Sequence, residues 1–133
     1  MEDNKKQFVH SKLSYQINGI LFEVFNTLGP GLKERTYQRA IAAGLKNAGL
    51  KFSEEVYFPT RFQGEVVGSY YFDFIINDKI ILELKVGDYF SRTNLQQVHN
   101  YLLQSGLQLG IIANFTHNGV KVKRVVNIQG SNL

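Results

Sequence analysis

The sequence predicts an α/β domain: one mixed central β-sheet flanked by helices, in the order α-α-β-β-β-α-β-β. Three observations carry this. Apolar residues recur at helical spacing in two early segments, before Gly49. After Gly49 the pattern changes to runs rich in β-branched and aromatic residues, the mark of strands. A helical pattern over residues 91–105 then separates two further strand patterns, which permits a parallel crossover, right-handed by the general rule.

Residues 1–12 read as a flexible polar arm, and 13–130 as a single domain. The first helix is expected from about Leu13 to Leu28, with Ile17, Ile20, Leu21, Val24 and Phe25 on its apolar side. Gly29-Pro30-Gly31 breaks it. The second helix runs from about Leu32 to Ala48 and stops at Gly49. Residues 51–86 form a three-strand antiparallel meander, in which Pro59 marks an edge or a bulge, Gly64 a turn and "NDK" (77–79) a hairpin. The helix over 91–105 has Ser91 or Thr93 as its cap and Gly106 at its stop. "LQLGIIANF" and "VKVKRVVNI", joined by "THNG", are the last two strands.

The 133 residues include no cysteine, which excludes disulfides, thiolate metal sites and a cysteine nucleophile. That composition suits a reducing cytosol, and cytoplasmic location is the expectation. The first residues, "MEDNKKQFVHSKLS", are polar and carry no apolar core like that of a secretory signal, so none is expected, and no run of about 18 apolar residues occurs in the sequence. The formal charge of +4 is compatible with an anionic partner such as nucleic acid.

Chemistry enters with three acids. Glu34 stands three residues before Tyr37 and seven before Ile41, in line with a core-directed helical face. Asp73 is the only charge in "SYYFDFII" and lies ten residues before Glu83, across a short hairpin. In "KIILELKV", Glu83 and Lys85 share one strand face and Leu82, Leu84 and Val86 the other. Two of the acids have ordinary explanations when taken alone: a bulge or strand end for Asp73, and a cross-strand ion pair at a sheet edge for Glu83. Brought together, three carboxylates repel unless a cation is present, and hard oxygen donors suit Mg2+ or Mn2+. Such an ion activates water and polarises a phosphoryl oxygen, with Lys85 orienting the water or steadying charge: phosphodiester hydrolysis.

Sharing a metal requires Asp73 to emerge on the Glu83/Lys85 face. A two-residue Asn77-Asp78 turn pairs Asp73 with Leu82 and sends it to the wrong face. A three-residue Asn77-Asp78-Lys79 connection pairs Ile76 with Ile80 and Asp73 with Glu83, and is therefore predicted.

Gln97 and Tyr101 share a helix face and pack on the helix flank or bind phosphate. Arg35 and Arg39 form a solvated face or touch phosphates beside Glu34. Lys121 and Lys123 read as a solvated edge more readily than as a DNA contact. His10, His99 and His117 share no metal-ligand spacing.

Gly31, Glu34 and Tyr37 spell G-x-x-E-x-x-Y. With Asp73, Glu83-Leu84-Lys85, Gln97 to Tyr101, Asn114-Phe115 and Arg124, the chain resembles the GxxExxY proteins of the PD-(D/E)xK nuclease superfamily over residues 13–128. The QxxxY spacing is also a mark of the RecB-like branch. The resemblance implies a restriction-endonuclease-like core. It implies a metal gathered by Glu34, Asp73, Glu83 and the Leu84 carbonyl, with Lys85 serving the attacking water and Gln97 and Tyr101 completing the catalytic set. Phe72 stands where the superfamily name has proline. The expected activity is a Mg2+- or Mn2+-dependent nuclease acting on DNA, with Arg35, Arg39, Gln97 and Tyr101 on the nucleic acid. The alternatives are a junction-type endonuclease working as a homodimer, or a non-catalytic nucleic-acid-binding module that keeps the fold.

Overall fold

The computed structural model describes residues 9–128; of the arm expected over 1–12, residues 1–8 lie outside the described residues, and Ser11 and Lys12 are not part of an arm but open the first helix. Helix α1 spans Ser11–Leu28 and α2 spans Glu34–Asn47. Strands β1 (Phe52–Phe62), β2 (Glu65–Ile76) and β3 (Ile80–Val86) follow. Helix α3 (Arg92–Ser105) leads to β4 (Leu109–Phe115) and β5 (Val120–Val126). The predicted order is the observed one.

The five strands lie in sequence order across one sheet, β1-β2-β3-β4-β5. The first three form the antiparallel meander, β3 and β4 are parallel across the α3 crossover, and β5 returns antiparallel. Every residue of β4 is buried, as expected for a strand covered on both faces. On one face Leu82, Leu84, Ile111 and Ala113 pack against Ile17 and Leu21 of α1 and Tyr37, Ile41 and Leu45 of α2. On the other, Ile81 and Ile112 pack against Val98 and Leu102 of α3. Helix α3 comes so close to the sheet that a Cβ on Gly110 of β4 would stand 2.4 Å from Val98 Cγ1.

Local chemistry fixes the ends of the elements. Ser91 Oγ accepts from Asn94 N–H at the start of α3, and Gly106 closes it at φ 78°. At the α1–α2 joint, the Tyr37 hydroxyl donates to Gly29 O at 2.7 Å and accepts from Leu32 N–H at 3.3 Å. The Tyr37 ring stacks on Phe115 at 4.2 Å. Tyr37 thus pins the Gly-Pro-Gly turn to the end of β4 and fixes where α2 begins. Pro59 lies on edge strand β1, and the register shifts between Thr60 and Arg61.

The 77–79 connection has the predicted length. Ile76 pairs with Ile80, Ile75 with Ile81 and Phe74 with Leu82. Asn77 and Asp78 sit at φ 53° and 55°, a region these two residue types tolerate.

Candidate active site

One step beyond Phe74–Leu82, where Asp73 faces Glu83, the backbone ladder between β2 and β3 ends and side chains take its place. Glu83 Oε1 accepts from Asp73 N–H at 2.8 Å, and Asp73 Oδ2 accepts from Leu84 N–H at 2.8 Å. The remaining Glu83 oxygen accepts from the Tyr70 hydroxyl at 2.6 Å. Each carboxylate satisfies a backbone N–H that a carbonyl would otherwise take. This is how Glu83, only 2 % exposed, is tolerated in a buried strand.

Strand β2 turns over at the same point. Phe74 and Ile76 pack with α1 and α2, whereas Phe72 and Tyr70 pack on the α3 side. Regular alternation would put Phe72 and Phe74 on one face. Strand β1 follows: Phe52 lies on the first side, Val56 and Phe58 on the second, and Glu55 between them has φ 52° and no partner opposite Asp73. The outer part of the β1–β2 hairpin therefore wraps toward α3 and parts from the carboxyl end of β3, leaving Asp73 and Glu83 at the fork.

Burial first, and the charge of Glu83 second, push the Asp73 carboxyl up to about 7. Glu34, at the first turn of α2, is half-buried. Its pKa is raised by desolvation, with Lys85 lowering it and Asp73 raising it. Glu34, Asp73 and Lys85 thus feel one another across the fork, and the Tyr70 hydroxyl, raised chiefly by burial, also feels all three acids. Lys85 shares the Glu83 strand face and makes no ion pair within 4 Å among the described residues.

The expected convergence is met most closely by Asp73 and Glu83, which are directly linked. Among the described residues, no three His, Cys, Asp or Glu side chains are grouped so as to hold a metal ion ready-made. The Glu83 oxygens are turned to Tyr70 and Asp73, and Glu34 stands apart. The donor set nevertheless fits a hard divalent cation: oxygen donors only, and mutual repulsion between Asp73 and Glu83 that a cation relieves.

Tyr101 is packed edge-on to Phe58 at 4.9 Å and against Phe72 at 4.8 Å, in the aromatic cluster that also holds Tyr70. Gln97 is half-buried one turn earlier on α3. Arg35 and Arg39 are exposed on α2. Arg124 donates to Ser14 Oγ at 3.0 Å and Val9 O at 2.9 Å, tying β5 to the start of α1. Sequence reasoning missed Tyr70, whose only signal is a position three residues before Asp73 in an aromatic run.

A five-stranded mixed sheet with helices on both faces, and a carboxylate pair with a lysine at the fork of two strands, define an α/β fold of the restriction-endonuclease-like type. The family model of the PD-(D/E)XK nuclease superfamily matches residues 11–125, and the chain belongs to that superfamily. The fold is similar to that in the crystal structure of SSO0001, with a TM-score of 0.55 and 18 % sequence identity over 70 % of this chain and 49 % of that one. The match therefore spans about half the length of that protein. No curated protein matches the chain. None of the helices among the described residues is long and apolar enough to cross a membrane.

Proposed function

We propose that the chain is a nuclease that hydrolyses DNA phosphodiester bonds with Mg2+ or Mn2+, of the GxxExxY kind with the QxxxY mark of the RecB-like branch. The observation that carries this is the Asp73–Glu83 interlock at the strand fork, with Glu34 and Lys85 in electrostatic reach. Asp73, Glu83, Glu34 and the Leu84 carbonyl would hold the cation. When bound, it supplies Lewis-acid polarisation of the phosphoryl oxygen and acidifies water.

The chain's own residues do the rest. Lys85 lies beside the acids without being locked to one, so its ammonium is free to orient water or to face charge growing on the phosphate. Tyr70 holds Glu83 in one rotamer, and Leu84 N–H does the same for Asp73. Tyr101, wedged among aromatic rings, fixes the flank of α3 from which Gln97 reaches toward the backbone of the substrate. Arg35 and Arg39 supply sequence-independent attraction for phosphates.

The test is cleavage of linear, circular, single-stranded and branched DNA in Mn2+ or in chelator, with Asp73→Ala purified in parallel. Loss of one ligand removes several kcal/mol of transition-state stabilisation, about a thousandfold in rate. Equal cutting by Asp73→Ala assigns the activity elsewhere.

One observation favours a second reading. Because the carboxylates stand in for ladder bonds, they also serve as structural clasps in a non-catalytic nucleic-acid-binding module. On that reading the protein binds DNA in chelator and Mn2+ changes nothing.

A further inference from the structure

Two cavities open side by side at the carboxyl ends of β3 and β4, the one parallel pair among the described strands. Open α/β sheets place ligands at such ends. The first, about 360 Å³, has an apolar lining of Pro30, Val86 and Phe115. The second, about 380 Å³, is polar, with Tyr89, Asn118 and Lys121. They share Asp88, Thr116 and His117, and the Asp88–His117 contact of 3.4 Å forms the ridge between them. Both volumes fall within the range of about 300–1,000 Å³ typical of small-molecule sites.

The walls are built in advance. Gly87 N–H donates to Phe115 O at 3.1 Å. Asn114, 1 % exposed, donates through Nδ2 to Gly87 O at 3.2 Å and Tyr89 O at 3.0 Å. Across the cleft, Thr116 N–H and Oγ1 both bond to Gly119 O at 2.8 Å, and Asn118 N–H bonds to Thr116 Oγ1. The floor is Phe115, backed by the Tyr37 ring. The cleft also adjoins the fork in sequence on both sides: Gly31 lies three residues before Glu34, and Val86 directly follows Lys85.

A chamber with a largely apolar lining beside a polar one carrying a lysine and a histidine matches a nucleotide. We propose that this double cleft is a nucleotide subsite, taking the base of the residue next to the cleaved bond into the Pro30/Val86/Phe115 chamber. The phosphate meets Lys121 and His117, and Asp88 on the ridge accepts from base N–H groups. The subsite rests on the nuclease reading and deepens it: the substrate strand has to give up one base from its stack. That favours single-stranded, frayed or distorted DNA, in which unstacking costs least.

The experiment uses the Lys85→Ala chain with Mn2+ and single-stranded oligonucleotides carrying 2-aminopurine at one position at a time. The expected result is a several-fold rise in fluorescence at a single position. Val86→Trp, which fills the apolar chamber from a half-exposed site, abolishes that rise while oligonucleotide binding persists. If Val86→Trp does not fold by circular dichroism, the His117→Ala/Lys121→Ala pair is expected to weaken the same signal. Binding without any position-dependent rise, or a rise that survives both changes, overturns the subsite and leaves the nuclease reading standing. Deoxyadenosine monophosphate binding as tightly as the oligonucleotide assigns the cleft to a free nucleotide and also overturns it. No oligonucleotide binding even at low salt overturns both readings together.

Discussion

Replacing Asp73 by asparagine separates what this side chain does for the fold from what it does for chemistry. Asparagine keeps an oxygen for Leu84 N–H and offers an N–H toward Glu83, but carries no charge. In the metal-free protein, burial and Glu83 raise the Asp73 carboxyl from its ordinary 3.8 to about 7. Keeping it ionised at pH 8 thus costs the fold up to roughly 4 kcal/mol at about 1.4 kcal/mol per pKa unit. Solvent screening at a partly exposed carboxyl reduces this to on the order of 1–2 kcal/mol. Asp73→Asn is therefore expected to be more stable than the parent by about that amount in chelator at pH 8, and to lose Mn2+ binding. Asp73→Ala also sheds the charge, but it leaves Leu84 N–H without its acceptor, a loss of about 1–3 kcal/mol, and falls below Asp73→Asn. Urea denaturation at pH 8 and pH 5 measures all three chains. The Asp73→Asn advantage should shrink at pH 5, where the folded parent already holds the proton. An Asp73→Asn chain no more stable than the parent at pH 8, with a gap independent of pH, would refute the electrostatic argument.

Further outcomes follow from the same geometry. A raised carboxyl pKa gives stability that is fully present below the unfolded value and lost as pH rises through the folded one. The parent in chelator should therefore lose on the order of 1 kcal/mol between pH 5 and pH 8, and Mn2+ should raise Tm more at pH 8 than at pH 5, read by thermal melts. Lys85→Ala should keep Mn2+ affinity by titration yet cut DNA about a hundredfold or more slowly. Gly110→Ala should destabilise by about 1–3 kcal/mol in a urea melt, because the new methyl group meets Val98 at 2.4 Å. Tyr101→Phe should leave stability unchanged within about 0.5 kcal/mol, since the ring and not the hydroxyl makes the contacts with Phe58 and Phe72.

The fold was legible because each element carries its own signal. The early helices show a 3.6-residue period, Gly106 closes α3 and the apolar run of β4 reads as a strand. The three-residue hairpin was legible for a different reason: a functional requirement on Asp73 allowed one register and excluded the other. The inversion of β2 at Asp73 was not legible. "YYFDF" has large aromatic residues at every position but one, so both faces look alike in the sequence and no break in alternation marks the turn-over. The positive φ of Glu55, which accompanies it in β1, has no glycine or asparagine to announce it. The same blindness hid Tyr70, and it left Tyr37 as a motif residue whose physical task, pinning the Gly29–Leu32 turn, appears only once β4 is in place. Helical spacing put Glu34 on the core side, but not its separation from the other two acids.

The central claim is that the fork between β2 and β3 is a cation site serving hydrolysis, and direct Mn2+ titration of the whole chain at pH 8 tests it most plainly. Isothermal titration calorimetry is expected to show Mn2+ binding in the parent and none in Glu83→Ala, with DNA cutting lost in the same Glu83→Ala preparation. Equal Mn2+ binding by a folded Glu83→Ala chain, or no binding by the parent, would contradict the account and leave Asp73 and Glu83 as clasps that merely close the end of a strand ladder.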